Sequence, residues 1–159
     1  MRNMIGLAVV VVMVTASGIA RADDNVPVEK LPKAVVDTLK KRFPKGELTK
    51  ASKSGEGDKT TYEVSVKEGT LKADVDLTAA GAITGMEKQI AAADLPKVIA
   101  AAVKAKQPKG TVKTCEEVIA VKDGKEVLEY YEVVVETPDK KTVELEIEKD
   151  GKVRKENAK

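Results

Sequence analysis

The sequence predicts an α+β protein made of two tandem repeats. Each is a helix followed by a four-stranded antiparallel sheet, with the helices on one face of the sheet. Three observations carry this reading. Leu31-Pro32-Lys33 and Pro44-Lys45-Gly46 return as Leu95-Pro96-Lys97 and Pro108-Lys109-Gly110, both at an offset of 64 (95 − 31 and 108 − 44). Between the two phrases of each copy, apolar residues recur four apart; beyond them the pattern becomes alternation, so a helix gives way to strands. Tyr62-Glu63-Val64 returns as Tyr131-Glu132-Val133 at an offset of 69 (131 − 62), which places a five-residue insertion in the second copy. One unit of this size buries too little to be robust alone, and the economical arrangement lays two side by side, helices on one face of a continuous antiparallel sheet.

The chain has 159 residues and opens on a targeting segment. Arg2 and Asn3 precede an apolar run from Ile5 to Val14, and Ala20-Arg21-Ala22 closes it. A positive start, a core too short to span a bilayer and small residues two apart describe a signal peptide over 1–22. Cleavage would leave Asp23 first, with residues 23–28 as a mobile polar lead. The expected address is periplasmic or secreted, with no stable membrane anchor after cleavage. Of 28 basic residues the leader removes Arg2 and Arg21, leaving 26 against 26 acidic ones. A net-neutral chain offers no general case for nucleic acid as a partner.

The first repeat is expected over residues 29–90. Leu31, Val35, Leu39 and Phe43 form one apolar stripe with Val36 beside it, while Lys33, Asp37, Lys40 and Lys41 face water. Pro32 suits a first helical turn, and Pro44 with Gly46 ends the helix. Strands follow at Glu47–Lys53, Thr61–Val66, Leu71–Thr78 and Ile83–Ile90, punctuated by Gly55, Gly69 and Gly81. The third alternates most clearly: Leu71, Ala73, Val75 and Leu77 against Lys72, Asp74, Asp76 and Thr78.

The second repeat is expected over residues 91–159. Leu95, Ile99 and Val103 take the stripe positions, and Gln107 replaces Phe43. Strands follow at about Val112–Val121, Glu126–Glu136, Thr142–Glu148 and Lys152–Glu156, with Asp123-Gly124, Pro138-Asp139 and Asp150-Gly151 as turns. Parity sends Tyr131, Val143, Leu145 and Ile147 inward. It sends Leu128, Tyr130, Glu132, Val134, Glu136, Glu144, Glu146 and Glu148 to the opposite face.

The Leu-Pro helix opening, the Pro-Lys-Gly exit, the Tyr-Glu-Val strand and the strand–Asp-Gly–strand ending resemble the PepSY-like family. Within it they are closest to the tandem proteins likened to beta-lactamase inhibitor protein. The resemblance spans roughly Glu29 to Glu156. It implies an exported, non-enzymatic module of the kind that restrains or binds peptidases and other envelope or secreted enzymes. The chain departs from the inhibitor pattern in lacking paired cysteines and in having few aromatic residues, whereas tight interfaces anchor on Trp, Tyr and Arg.

No catalytic constellation is visible and no cofactor is implied. The single Cys115 has no His in the chain to act as its base, and reads as a quiet strand residue. Asp74 and Asp76 share a strand face and supply the alternative reading, an enzyme or metal-binding protein with a carboxylate site on the sheet. Hard cations want six or more oxygens, so a solvated sheet face explains the pair as well. The Lys-rich surface of the first helix (Lys33, Lys40, Lys41, Arg42, Lys45) reads as a solvated face. A small-ligand carrier would need a concave apolar pocket that two small helix–sheet units scarcely provide. The remaining candidate is a partner-binding surface of Tyr130, Glu132, Val134, Glu144 and Glu146, an aromatic and a Val among carboxylates, fit to receive another envelope or secreted protein of basic character.

Overall fold

The structure, a computed structural model, describes residues 24–158; the leader expected over 1–22 lies outside the described residues. Two helices, α1 (Lys33–Arg42) and α2 (Lys97–Lys106), accompany nine strands. These are β1 (Asp24–Asn25), β2 (Glu47–Ser54), β3 (Thr61–Glu68), β4 (Leu71–Thr78) and β5 (Ile83–Ile90), then β6 (Thr111–Lys122), β7 (Lys125–Glu136), β8 (Thr142–Glu148) and β9 (Val153–Ala158). They form one sheet whose spatial order is their order in sequence, every neighbouring pair antiparallel. The continuous antiparallel sheet expected from the two units is what the strands form. β5 and β6 join them, pairing Met86 with Ile119 and Ile90 with Cys115. Within the lead, Asp24 and Asn25 pair with Lys53 and Ser52, because the β2 edge offers backbone groups that a neighbouring extended segment satisfies.

Each helix forms for the reason its stripe gives. Pro32 and Pro96 precede the first turns with φ near −54°, the geometry proline presets. Lys40, Lys41 and Arg42, and Lys104 and Lys106, sit in the last turns, where the helix dipole favours cations. Leu31, Val35, Leu39 and Phe43 are buried against Val64, Val66, Val75 and Leu77; Leu95, Ile99 and Val103 are buried against Tyr131, Val133, Leu145 and Ile147. Burying each of these side chains is worth about 1.5–3 kcal/mol, so two stripes on one side of the sheet define two cores.

The Pro-Lys-Gly exits have a steric cause. A Cβ on Gly46 would lie 2.8 Å from Phe43 Cβ and 2.9 Å from Val66 Cγ1. On Gly110 it would lie 2.3 Å from Val135 Cγ1. The chain turns back over its own sheet at these two points, and only a residue without a side chain fits.

The five-residue insertion lengthens one hairpin. β6 and β7 have 12 residues each, against 8 for β2 and β3. The register shifts within it: Val118 faces Tyr130, yet Ile119 faces Leu128, so Glu129 is the extra residue of a bulge. Every side chain before Glu129 changes face. Leu128, expected outside with Tyr130, packs instead into the second core, and Val127 is 40 % exposed.

Candidate functional site: the open sheet face

Alternation sends Val64, Val75, Met86, Cys115, Val133 and Leu145 toward the helices, and their strand neighbours to the other side. Among the described residues, both helices pack on the first side. The second side is left as an open face. It carries Glu63, Ser65 and Lys67 (β3), Lys72, Asp74 and Asp76 (β4), Glu87 and Gln89 (β5), Glu116 and Val118 (β6), Tyr130, Glu132 and Val134 (β7), and Glu144 and Glu146 (β8).

Register sets carboxylates opposite one another. Glu63 faces Asp76, Asp74 faces Glu87, Glu116 faces Glu132, and Glu132 faces Glu146. Like charges directly opposite across strands destabilise a sheet. The electrostatic consequence is concentrated at Glu87, whose pKa rises from 4.5 to about 7. Partial burial is the first cause, followed by the charges of Glu132, Glu116, Asp76 and Glu63. Beside it lies a depression of about 320 Å³, whose walls include Ser65, Lys67, Lys72, Asp74, Glu87 and Glu116. Ser65 Oγ donates a hydrogen bond to Asp74 there.

The five residues expected to form a partner site do come together, since Glu132 faces Glu146 and Val134 faces Glu144. Their surroundings differ from the expectation. Glu144 and Glu146 are each only 8 % exposed, because β9 lies beside them. Glu146 accepts from Lys155 Nζ at 3.1 Å and is 3.2 Å from Arg154 Nε, while Asn157 Nδ2 donates to Glu144 at 3.1 Å. The Arg154 guanidinium lies 4.2 Å from the centroid of the Tyr130 ring. The Tyr130 hydroxyl is pushed up to about 12, first by burial and then by Glu146, with Arg154 opposing. Tyr130 is thus half-buried under the chain's own arginine. Tyr131, expected inward, is buried in the second core.

Sequence reasoning did not single out Glu87 and Glu116. Gly85 weakens the alternation of β5, and only the β5–β6 pairing makes them neighbours of the β4 and β7 carboxylates. Among the described residues no three His, Cys, Asp or Glu side chains converge in a way that could hold a metal ion. Cys115 is 1 % exposed in β6, and burial raises its thiol pKa, with Glu116 adding to the effect.

The chain matches the PepSY-like family, described as "putative beta-lactamase-inhibitor-like", over residues 19–85 and again over 60–155. It belongs to the PepSY-like family. No curated protein matches the sequence. Among solved structures, a BLIP-like protein from Bacteroides fragilis is 19 % identical, with a TM-score of 0.55, covering 79 % of this chain and 84 % of that one. A structure from Bacteroides eggerthii, described among "putative periplasmic proteins", is 16 % identical with a TM-score of 0.63, covering 80 % and 88 %. At these identities the likeness is one of fold. This PepSY-like chain therefore shares the helices-on-one-face architecture, and its family is not a known enzyme family.

Proposed function

We propose that this PepSY-like protein is an exported, non-enzymatic binding module of two tandem helix-and-sheet units. On this reading it restrains or binds a peptidase or another envelope protein through the open sheet face. The observation that carries the reading is the sheet itself. Nine strands hold one face against two helices, and no described element covers the other, where Val118, Tyr130 and Val134 lie among carboxylates. A few apolar side chains among charged ones on an uncovered sheet face give a partner of complementary charge both contact area and orientation. The periplasmic description of the Bacteroides eggerthii relative agrees with the leader read in residues 1–22.

The test uses the mature chain as bait against envelope proteins, together with Val134→Arg on the open face and Lys40→Ala on the exposed surface of α1. The expected result is a protein retained by wild type and by Lys40→Ala and lost by Val134→Arg. Equal retention by all three would place the docking surface elsewhere.

A further inference from the structure

We infer that the second repeat holds a socket beside α2 for one aromatic side chain of a partner polypeptide, at the place where the first repeat seats its own Phe43. The socket lies on the helix side of the sheet and does not rest on the open-face reading above.

The two copies differ most at one place. Beside α2 and the start of β6 lies an apolar pocket of about 150 Å³, whose walls include Ala92, Leu95, Ala100, Val103, Gln107 and Val112. Ala92 and Ala100 are exposed, so the pocket opens to solvent. Each of these residues stands 64 positions beyond a residue of the first copy. Leu95 matches Leu31, and the other five are all smaller than their counterparts: Ala92 matches Val28, Ala100 Val36, Val103 Leu39, Gln107 Phe43 and Val112 Leu48. Together these exchanges remove at least as many heavy atoms as one benzyl group holds. In the first copy the larger set fills the space, with Phe43 only 5 % exposed and Val28, Val36 and Leu48 packed against the same core.

The backbone is the same in both places. Phe43 and Gln107 each follow the last turn of their helix, with φ of −128° and −127°, and each donates its N–H four residues back, to Leu39 or Val103. What differs is the side chain. Gln107 Nε2 donates to Glu156 of β9 at 3.2 Å, so its polar end is satisfied there and the apolar walls are left without a ring.

Size and source fix the occupant. An apolar cavity of about 150 Å³ takes a benzene molecule, whereas a drug-sized ligand needs about 300–1,000 Å³. One ring therefore fits while the rest of its molecule stays outside, which is how an aromatic anchor of one polypeptide seats in the pocket of another. Water against these walls finds few polar partners, and an apolar group that displaces it gains affinity. A second copy of this chain has no free ring to offer. Phe43, Tyr62 and Tyr131 pack in or against the two cores, Arg154 covers Tyr130, and the chain has no Trp.

The probe is the peptide acetyl-Gly-Gly-Phe-Gly-Gly-amide, titrated to millimolar concentration into the methyl-labelled mature chain and read by NMR. Saturable ring-current shifts are expected at the methyls of Leu95, Val103 and Val112 and not at those of Leu31, Leu39 and Leu48. The same peptide with Leu in place of Phe should give none. Gln107→Phe should abolish the shifts and, by filling the pocket from within, raise Tm by about 2–4 °C. Ala100→Val, a smaller filling, should weaken the shifts with the fold intact. The proposal is overturned by shifts that survive both variants, by equal shifts in the two copies, or by none in wild type. Toluene moving these methyls while the peptide does not would assign a small-molecule cavity and overturn it too. Val134→Arg, on the open face, should leave the shifts unchanged, so the socket and the docking face are tested separately.

Discussion

Glu87→Gln should stabilise the protein at pH 8 and leave it nearly unchanged at pH 4. The folded chain raises the Glu87 pKa from 4.5 to about 7 through partial burial and the neighbouring carboxylates. A carboxyl with a raised folded pKa binds its proton more tightly in the folded state. Its favourable contribution is thus present at low pH and is lost as pH rises from about 4.5 through about 7. At ~1.36 kcal/mol per pH unit, the full displacement corresponds to ~3 kcal/mol. Glu87 keeps part of its surface in water, and solvent screening reduces this to about 1–2 kcal/mol. Gln has nearly the same shape and cannot ionise, so it removes the cost without opening a cavity. Urea melts of wild type and Glu87→Gln at pH 4, 6 and 8 measure it: the variant should gain about 1–2 kcal/mol at pH 8, less at pH 6 and almost nothing at pH 4. A gap between the two proteins that stays constant from pH 4 to pH 8 would refute the electrostatic account of this face.

Other expectations follow from packing. Leu39→Ala, at a side chain with no exposed surface, should cost about 2–4 kcal/mol in denaturant melts, whereas exposed Lys40→Ala should change stability by about 0.5 kcal/mol or less. Tyr131→Ala should cost about 3 kcal/mol and Tyr130→Ala clearly less, since the first empties the second core and the second frees a half-covered ring; thermal melts that reverse this order would invert the faces. Gly110→Ala should lower the melting temperature markedly, because its Cβ would sit 2.3 Å from Val135 Cγ1. Cys115, buried with its thiol pKa raised, should react with a thiol reagent only as fast as the protein opens, and denaturant should speed labelling by orders of magnitude.

The elements were legible in the sequence because their signals are local. The four-residue spacing of Leu31, Val35, Leu39 and Phe43 marks a helix wherever it occurs, and the structure starts α1 at Lys33, just after Pro32. The alternation from Leu71 to Leu77 marks a half-buried strand and assigns each side chain to a face, because the period of a strand is two. The same parity placed Tyr131 inside and Glu132 and Val134 outside. It failed at Leu128, where a bulge, a feature of two strands together, moved the residue to the other side.

By itself, then, the sequence determined the repeat, the two apolar stripes and the face of most strand residues, since each depends on neighbours along the chain. The tertiary structure alone decided which strands lie side by side. The register of β5 against β6 brought Glu87 within range of Glu116 and Glu132. Laying β9 against β8 buried Glu144 and Glu146 and drew Arg154 over Tyr130, so the chain's own side chains line one edge of the expected site. Adjacency across strands depends on register between segments far apart in the chain, and the burial and charge crowding that shift a carboxyl's pKa exist only once that register is set.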